Sequence, residues 1–574
     1  MRRERPCSPF HADPEPAQFR QAIRFDGATK QALETGRTRL LFASLLFAVA
    51  FLVVAGRLVS VALLSSSGEP SIAETPRATQ LETERADIVD RNGIVLATNL
   101  VTASLYANPR EVPNPRAAAA ALSKVLPELK QDEVELKLAS EKSFVWLKRN
   151  LTPKQQYAVN RLGIPGLSFQ REERRVYPHG NLAAHILGFT DIDNRGIAGV
   201  EKQFEARLAE EHAPLALSID IRLQHILKEE LSKSVEDFSA IGGAGVILDA
   251  RTGEVLAMVS LPDFDPNEPG RASADTRFNR ATLGVYEMGS VFKVFTTAMA
   301  LDEGVTSLKG GYDASHPIKV ARYTITDYHA KNRWLSVPEI FIYSSNIGSA
   351  KMALDVGPEG QRAFLKKLGM LSPVALELPE LGDPQGPAQW RELAAMTIAF
   401  GHGLSITPMH VAGGVATVVN GGLKVQPTLV KREEPVEGTR LIKPETSDAL
   451  RGLMRLVVER GTGKNADAPG YRVGGKTGTA EKAAVHGYKH SALISSFVGA
   501  FPMDAPRYVI FMAIDEPKPN KESHGYATGG WVAAPAVKRL VERMAPLVGI
   551  APIEEEDGAP DAASSLFVAV KAGD

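Results

Sequence analysis

The segment GSVFKVFTTAMALDEG, residues 289–304, places a serine and a lysine three positions apart at the start of a largely apolar run. The run ends at Gly304, and its pattern predicts a helix. A three-residue spacing on a helix puts the Ser290 hydroxyl and the Lys293 amine on one face. If Lys293 is buried beside another cation, its charged form is disfavoured and it can serve as a neutral base. Because Ser-x-x-Lys is common by chance, this interpretation needs further motifs.

Two further short motifs carry suitable chemical groups. The tripeptide SSN at 344–346 offers a hydroxyl and an amide that can relay a proton and hold a substrate amide. The tetrapeptide KTGT at 476–479 offers a lysine, flanking hydroxyls and a glycine, which suit a carboxylate-bearing substrate along a strand edge. Taken singly, the first is most often a helix cap or turn and the second a Gly-rich turn. The motifs therefore indicate a functional site only when they occur together.

The 574-residue chain has an ordinary globular composition, with 44% hydrophobic and 23% charged residues. Its length allows about three or four domains. The formal net charge of -1 provides no basic field for binding nucleic acid in bulk. The single cysteine, Cys7, excludes an internal disulfide framework and every multi-cysteine zinc or iron-sulfur site. The composition thus indicates a multidomain globular protein with no nucleic-acid partner.

Residues 40–56 contain no charge and are followed by Arg57 and a second apolar stretch, 58–64. This pattern predicts one transmembrane helix over 40–64. A buried core helix is disfavoured because the segment is apolar on all faces, and a cleaved signal peptide because 39 residues precede it. Residues 1–39 carry eight basic and five acidic side chains, so the N-terminal tail is predicted to be cytoplasmic. We therefore expect a single-pass protein of the cytoplasmic membrane with an exported catalytic part.

The pattern of polar and apolar residues in the exported part changes near residue 215. A first domain is predicted over 65–215. It begins with two apolar runs around an Asn92-Gly93 turn, the signature of a β-hairpin, and 109–165 shows helical periodicity. A second domain is predicted over 216–550, followed by an acidic, flexible tail over 551–574.

The second domain is predicted to be of the α+β class. It opens with a hairpin over 244–260, and helical segments fill 290–460. Strands at both ends with helices between them predict one sheet built from both ends of the domain, with helices packed against it. The later strand-like runs are 471–480, 493–501 and 507–514.

The three motifs, in the order Ser-x-x-Lys, Ser-x-Asn and Lys-Thr-Gly, resemble the active site of the penicillin-recognising serine enzymes. The exported chain as a whole resembles the class B penicillin-binding proteins. That resemblance implies an elongated pedestal (dimerisation-like) domain and a transpeptidase domain with a central antiparallel sheet flanked by helices. Within the family, the short tail, the single anchor and residues 400–408 look most like the division-specific D,D-transpeptidases. The other segments that carry the resemblance are 85–93, 175–180, 196–201, 279–281 and 461–464.

The resemblance implies an acyl transfer in two steps. Ser290 attacks the carbonyl of the penultimate D-alanine in a peptidoglycan stem peptide, expels the terminal D-alanine and forms an acyl-enzyme. An amine of a neighbouring stem then takes the acyl group, which crosslinks the wall. A β-lactam acylates the same serine. The implied base is Lys293, while Ser344 and Asn346 shuttle the proton and hold the substrate.

The third motif is implied to bind the donor peptide. Lys476, Thr477 and Thr479, around Gly478, bind its terminal carboxylate, and the amides of the nucleophile and of Thr479 form the oxyanion hole. One departure from the family is Met288, which stands where a proline usually lies two residues before the nucleophile. This substitution bears on the rigidity of the approach to the helix and removes no catalytic atom.

The resemblance also implies partners, namely a SEDS-family glycan polymerase and other division proteins, and no metal or organic cofactor. Three alternatives stay open. An elongation-type sister enzyme shares all three motifs. A serine β-lactamase is less favoured because no deacylating Glu motif is found. A membrane-anchored scaffold or β-lactam sensor would bind partners through 65–215.

Two weaker signals are set aside. Residues 461–464 fail the P-loop pattern, since Asn465 follows the lysine and Val458 replaces the first glycine. His486 and His490 are four residues apart but lie in a loop-like segment without helical periodicity, so a zinc site there is disfavoured.

Overall fold

The computed structural model describes residues 41–56, 85–320, 323–434, 437–484 and 487–553, and these form two compact units. The first unit contributes helix α1, residues 41–56, whose side chains are exposed. Of the helices described, none has the length and hydropathy needed to cross a bilayer. The rest of the predicted anchor, the predicted cytoplasmic tail and residues 554–574 lie outside the described residues.

The second unit begins with a five-stranded sheet whose strand order is β3-β2-β1-β5, with β4 also paired to β2. Its strands are β1 (Ile88–Val89), β2 (Val95–Ala107), β3 (Val145–Leu151), β4 (Leu167–Val176) and β5 (Leu215–Ala216). Its helices are α2 (Pro115–Val125), α3 (Gln131–Leu138), α4 (Pro153–Asn160), α5 (Ala184–Leu187), α6 (Gly199–Gln203) and α7 (Glu205–Glu210).

The predicted hairpin around Asn92-Gly93 is present as the antiparallel pair β1–β2. Asp90 Oδ1 accepts hydrogen bonds from the amides of Asn92 and Ile94 at 2.7 and 2.9 Å, and Gly93 takes the left-handed conformation that the turn requires. The prediction of helix over 109–165 is wrong for residues 145–151, which form strand β3 within that range. Its alternating Val-Trp-Leu start suits a strand, and β3 pairs with β2.

A buried ionic cluster ties the strands of this first sheet to α6. Glu201 is fully buried, and its carboxylate accepts from Arg85 Nε at 2.8 Å and from Arg175 Nε at 2.6 Å. Arg175 also donates to Asn99 Oδ1 on β2 at 3.2 Å. Two guanidinium groups therefore share one carboxylate away from water, a geometry in which each charge depends on the others.

The rest of the second unit is built on a five-stranded antiparallel sheet of order β16-β17-β18-β6-β7. As predicted, the sheet joins strands from both ends of this region. Its strands are β6 (Gly242–Asp249), β7 (Val255–Leu261), β16 (Gly474–Ala484), β17 (Gly487–Phe501) and β18 (Tyr508–Asp515). The helices are α8 (Ile221–Asp237), α9 (Ala274–Arg277), α10 (Lys293–Asp302), α11 (Val337–Tyr343), α12 (Asn346–Val356), α13 (Pro358–Lys367), α14 (Glu392–Ile398), α15 (Pro408–Val419), α16 (Pro444–Arg460) and α17 (Gly529–Leu547).

Among the described residues, eight further short strands form two-stranded pairs, and seven of them interrupt the predicted helical region 290–460. The pairs are β8 (Tyr286–Glu287) with β13 (Ser405–Ile406), β9 (Gly311–Asp313) with β12 (Trp334–Ser336), β10 (Ile318–Val320) with β11 (Tyr323–Ile325), and β14 (Leu423–Lys424) with β15 (Thr439–Arg440).

The two faces of the large sheet carry separate cores, as strand alternation requires. Val509 and Phe511 of β18 pack on the side of α10, α15 and α16, whereas Ile510 and Met512 pack on the side of α8 and α17. The first core continues into the first sheet through residues such as Ile88. The active-site side of the large sheet and the root of the first domain therefore share one hydrophobic core.

We predict that Glu201→Ala lowers the free energy of unfolding by about 3–5 kcal/mol, because it leaves the buried Arg175 without its carboxylate and Arg85 with only the partly exposed Glu205. Urea denaturation of the full-length protein, followed by tryptophan fluorescence, measures the change. Glu211→Ala is the control, since Glu211 pairs with Arg207 at the surface and its loss should cost less than about 1 kcal/mol. Equal effects of the two substitutions would contradict the prediction.

Candidate active site

Ser290 lies in a single turn of 3-10 helix, Gly289–Phe292, that leads directly into α10. The first residue of α10 is Lys293, which is fully buried. Its Nζ lies 2.9 Å from Ser290 Oγ. The predicted pairing of hydroxyl and amine on one face of a helix start is therefore present.

Lys293, which belongs to the first motif, also contacts two residues of the second motif. Its Nζ lies 2.6 Å from the carbonyl oxygen of Ser344, 3.0 Å from Ser344 Oγ and 2.8 Å from Asn346 Oδ1. Burial and the nearby charge of Lys476 hold the pKa of Lys293 well below its usual range, and Asp327 partly opposes them. A neutral amine at this position can accept the Ser290 proton.

The backbone at Ser344 makes this meeting possible. Ser344 ends α11 in the left-handed conformation, with φ of 60°, and Ser345 then caps α12 by accepting from the amide of Gly348 at 3.0 Å. A non-glycine residue in this conformation is uncommon and is held here by the two helix ends. The turn directs both Ser344 oxygens toward the lysines.

The third motif lies on β16, which is an edge strand of the large sheet. Lys476 is fully buried, its Nζ donates to Ser344 Oγ at 3.1 Å, and burial lowers the pKa of its amine to about 7. Thr477 and Thr462 share a hydrogen bond of 2.7 Å between their hydroxyls. Thr479 Oγ1 accepts from the amide of Gly529 at 3.2 Å. The motif is thus held from two sides along the strand.

Close backbone contacts hold β16 against the 3-10 turn Gly289–Phe292, here called the nucleophile turn because it carries the predicted nucleophile Ser290. A Cβ on Gly478 would lie 2.8 Å from the carbonyl oxygen of Met288, and a Cβ on Gly289 would lie 2.5 Å from that of Thr479. Ser290 and Thr479 are therefore neighbours, as the predicted oxyanion hole requires. All eight predicted site residues are gathered in one place. They are Ser290, Lys293, Ser344, Asn346, Lys476, Thr477, Gly478 and Thr479.

The chain before Ser290 is held in place although Met288 stands where the resembled family usually has a proline. Met288 is buried, and the preceding strand β8 pairs with β13. The amide of Gly289 donates to the carbonyl of Gly401 at 3.2 Å. Packing and strand pairing therefore restrict this turn, as a proline ring does in the family that the chain resembles.

Two residues near the site were not predicted to have a role. The Asp327 carboxylate binds the start of α12, and His402 follows Gly401 beside the nucleophile turn. Burial lowers the pKa of His402, which also interacts electrostatically with Lys293. His402 lies in the segment 400–408 that carried the family resemblance. Asp327 stands in an irregular stretch 18 residues before Ser345, where no short-range pattern marks it.

Within the part of the chain that the structure describes, no group of three or more His, Cys, Asp or Glu residues is placed to hold a metal ion. The side chains of His486 and His490 lie outside that part.

Comparison with known proteins agrees with this geometry. The family model of the penicillin binding protein transpeptidase domain matches residues 243–542, and that of the penicillin-binding protein dimerisation domain matches residues 80–213. A probable peptidoglycan D,D-transpeptidase FtsI from Caulobacter vibrioides is 41% identical over 487 residues, which cover 82% of each chain. The chain belongs to the class B penicillin-binding proteins of the FtsI type.

Other members of the family are similar over most of their length. A probable peptidoglycan D,D-transpeptidase PenA from Neisseria meningitidis is 34% identical, with 90% of this chain and 94% of that one covered. The peptidoglycan D,D-transpeptidase FtsI of Escherichia coli is 29% identical, with 90% and 92% covered. The crystal structure of penicillin binding protein 3 from Mycobacterium tuberculosis, complexed with ampicillin, is 25% identical, with a TM-score of 0.66 over 83% of this chain and 97% of that one. Similarity to FtsI proteins favours the division enzyme over the elongation-type sister.

We predict that Gly289→Ala slows acylation by a fluorescent penicillin at least about tenfold, because the new Cβ would push the nucleophile turn away from the Thr479 carbonyl. Gly304→Ala is a matched control. Gly304 also has a positive φ, at the other end of the same helical run, but a Cβ there meets nothing within 4 Å. It should cost about 1 kcal/mol of stability and leave the acylation rate unchanged. Equal acylation rates in the two variants would refute the argument.

Proposed function

We propose that this class B penicillin-binding protein carries out D,D-transpeptidation with Ser290 as the acylated nucleophile and Lys293 as its base. The enzyme is a peptidoglycan D,D-transpeptidase of cell division and a target of β-lactams. The observation that carries the residue assignment is the position of Lys293 Nζ, within 3.0 Å of Ser290 Oγ, Ser344 Oγ and Asn346 Oδ1. A buried amine with a lowered pKa suits proton abstraction from a serine.

In the first step, Ser290 Oγ gives its proton to Lys293 and attacks the carbonyl carbon of the penultimate D-alanine. The proton reaches the leaving amine of the terminal D-alanine through Ser344, whose hydroxyl touches both Lys293 and Lys476. The amides of Ser290 and Thr479 face the developing oxyanion. In the second step, an amine of another stem attacks the ester, a C–N bond replaces the C–O bond, and Ser290 regains its proton.

Substrate binding is assigned to β16. As an edge strand, it has one free side along which an extended peptide can lie. The Lys476 ammonium would pair with the terminal carboxylate, with the hydroxyls of Thr477 and Thr479 beside it. Asn346 would hold the stem-peptide amide while its oxygen stays on Lys293.

We further propose that residues 40–64 anchor the enzyme in the cytoplasmic membrane with residues 1–39 inside the cell. The uncharged run at 40–56 and the basic excess before it support this topology. The pedestal domain would extend over 65–215 and the transpeptidase domain over 216–550. By family resemblance, the partners are a SEDS-family glycan polymerase and other proteins of the division septum.

The direct test is labelling with a fluorescent penicillin. We expect the full-length protein to form a covalent adduct that survives denaturing electrophoresis, and Ser290→Ala to form none. Ser315→Ala, a change of the same kind at a surface serine, should label like the native protein. Label on Ser290→Ala, or no label on folded native protein, would refute the assignment and favour the scaffold or sensor alternative.

The lowered pKa of Lys476 gives a second test. With a pKa of about 7, Lys476 is an ammonium at lower pH and neutral at higher pH, so it loses its attraction for a carboxylate as the pH rises. The second-order acylation constant for a carboxylate-bearing β-lactam should therefore fall above about pH 7, approaching tenfold per pH unit.

The control for this profile is the methyl ester of the same β-lactam, which carries no carboxylate charge. Its acylation constant should lack the alkaline fall. Equal falls for acid and ester would show that Lys476 does not act by charge on the carboxylate.

A further inference from the structure

Asp327 belongs to none of the three motifs, yet it contacts the second one directly. It lies two residues after β11 and is half-buried. Its carboxylate accepts from Ser345 Oγ at 2.7 Å, from the amide of Asn346 at 2.6 Å and from the amide of Ile347 at 3.0 Å. An anion at a helix N-terminus that binds two free amides is strongly favoured.

These contacts determine how Asn346 faces the base. The amide Nδ2 of Asn346 donates to the carbonyl of Thr326 at 2.9 Å, next to Asp327 in the chain, while Oδ1 lies 2.8 Å from Lys293 Nζ. Turning the side-chain amide over would lose both contacts and place an NH₂ group against the amine of Lys293. The pair 326–327 therefore holds both the backbone and the side chain of Asn346.

Hydrophobic packing sets the position of Asp327 itself. Ile325 of β11 is buried against Ala350 of α12 and Met396 of α14, and residues of the paired strand β10 pack there too. The β10–β11 hairpin is thus docked on the helix whose first turn Asp327 binds. Buried packing at Ile325 therefore places Asp327 beside the first turn of α12.

Asp327 also supplies negative charge near a buried lysine. The charged groups that act on Lys293 are Lys476 of β16, His402 of the loop before β13, and Asp327. Lys476 and a protonated His402 oppose a charge on Lys293, and Asp327 favours it. The protonation of the base therefore depends on a carboxylate that never touches it.

We propose that Asp327 is a positioning residue for transpeptidation, acting through Asn346 and Lys293 to hold the base against Ser290. This inference rests on the base role proposed for Lys293. Removing the carboxylate has two separable effects. Loss of the contacts to Asn346 slows acylation, and loss of the charge makes Lys293 easier to deprotonate.

The test compares full-length native protein with Asp327→Asn in the rate of acylation by a fluorescent penicillin across pH. We expect the maximal second-order constant to fall roughly tenfold, as for a displaced hydrogen-bond network. We expect the acidic limb of the profile to move to lower pH, because Lys293 loses a favourable charge. A residue with only a structural role would lower the rate without moving the limb.

Two further variants separate the effects. Ser345→Ala removes one contact of Asp327 and keeps the charge, so the rate should fall while the limb stays in place. Asp355→Asn makes the same chemical change near the other end of α12, where Asp355 binds Tyr312, and the profile should match the native one. A limb shift equal to that of Asp327→Asn in either variant would overturn the proposal.

The outcomes also distinguish this inference from the proposed function. If native protein is not labelled, the role of Ser290 fails first. If native protein is labelled and Asp327→Asn has the native profile, only the inference on Asp327 fails. Should Asp327→Asn not fold, Asp327→Glu keeps the charge and shifts the carboxylate by one methylene, so a slower rate with an unmoved limb is expected. A native rate in that variant would overturn the proposal.

Discussion

A lysine amine buried without a carboxylate in contact is the constraint on which this site depends. Transfer of an ammonium group from water is costly unless other groups compensate or the group becomes neutral. In this protein the groups around Lys293 are oxygens of Ser290, Ser344 and Asn346, which can hydrogen-bond a neutral amine as well as a charged one. The second buried lysine, Lys476, adds repulsion. Burial therefore lowers the pKa of Lys293 and favours a neutral amine beside Ser290.

Three structural features hold the residues of this site together. The left-handed turn at Ser344, the glycine contacts between β16 and the nucleophile turn, and the Asp327 carboxylate each fix one approach. The glycine contacts come from a different part of the chain, whereas the turn and the carboxylate meet at Ser345 and Asn346. The hydrophobic core behind α10 continues into the root of the first domain, so the support of the site extends beyond the catalytic sheet.

The sequence was sufficient to predict the family, the enzyme class and the two-domain fold with its joined sheet. The motif residues carry their meaning in short, ordered patterns, and the hairpin at Asn92-Gly93 and the sheet joined from both ends follow from local turns and alternation. Strand β3 was missed because helical periodicity on either side dominated the window. Asp327 was missed for another reason. Its role arises from a hairpin docking against α12, a long-range packing event that leaves no short-range signal.

The order of strands in the catalytic sheet has a consequence for biosynthesis. The nucleophile is made early, but the strand bearing Lys476 reaches the first-made strand β6 only through β17 and β18. Until residue 515 has left the ribosome, β16 has no hydrogen-bonded connection to β6. Lys476 then has no fixed position near Lys293. A chain that ends before residue 515 is therefore expected to lack a reactive serine, because Lys476 then has no hydrogen-bonded connection to β6.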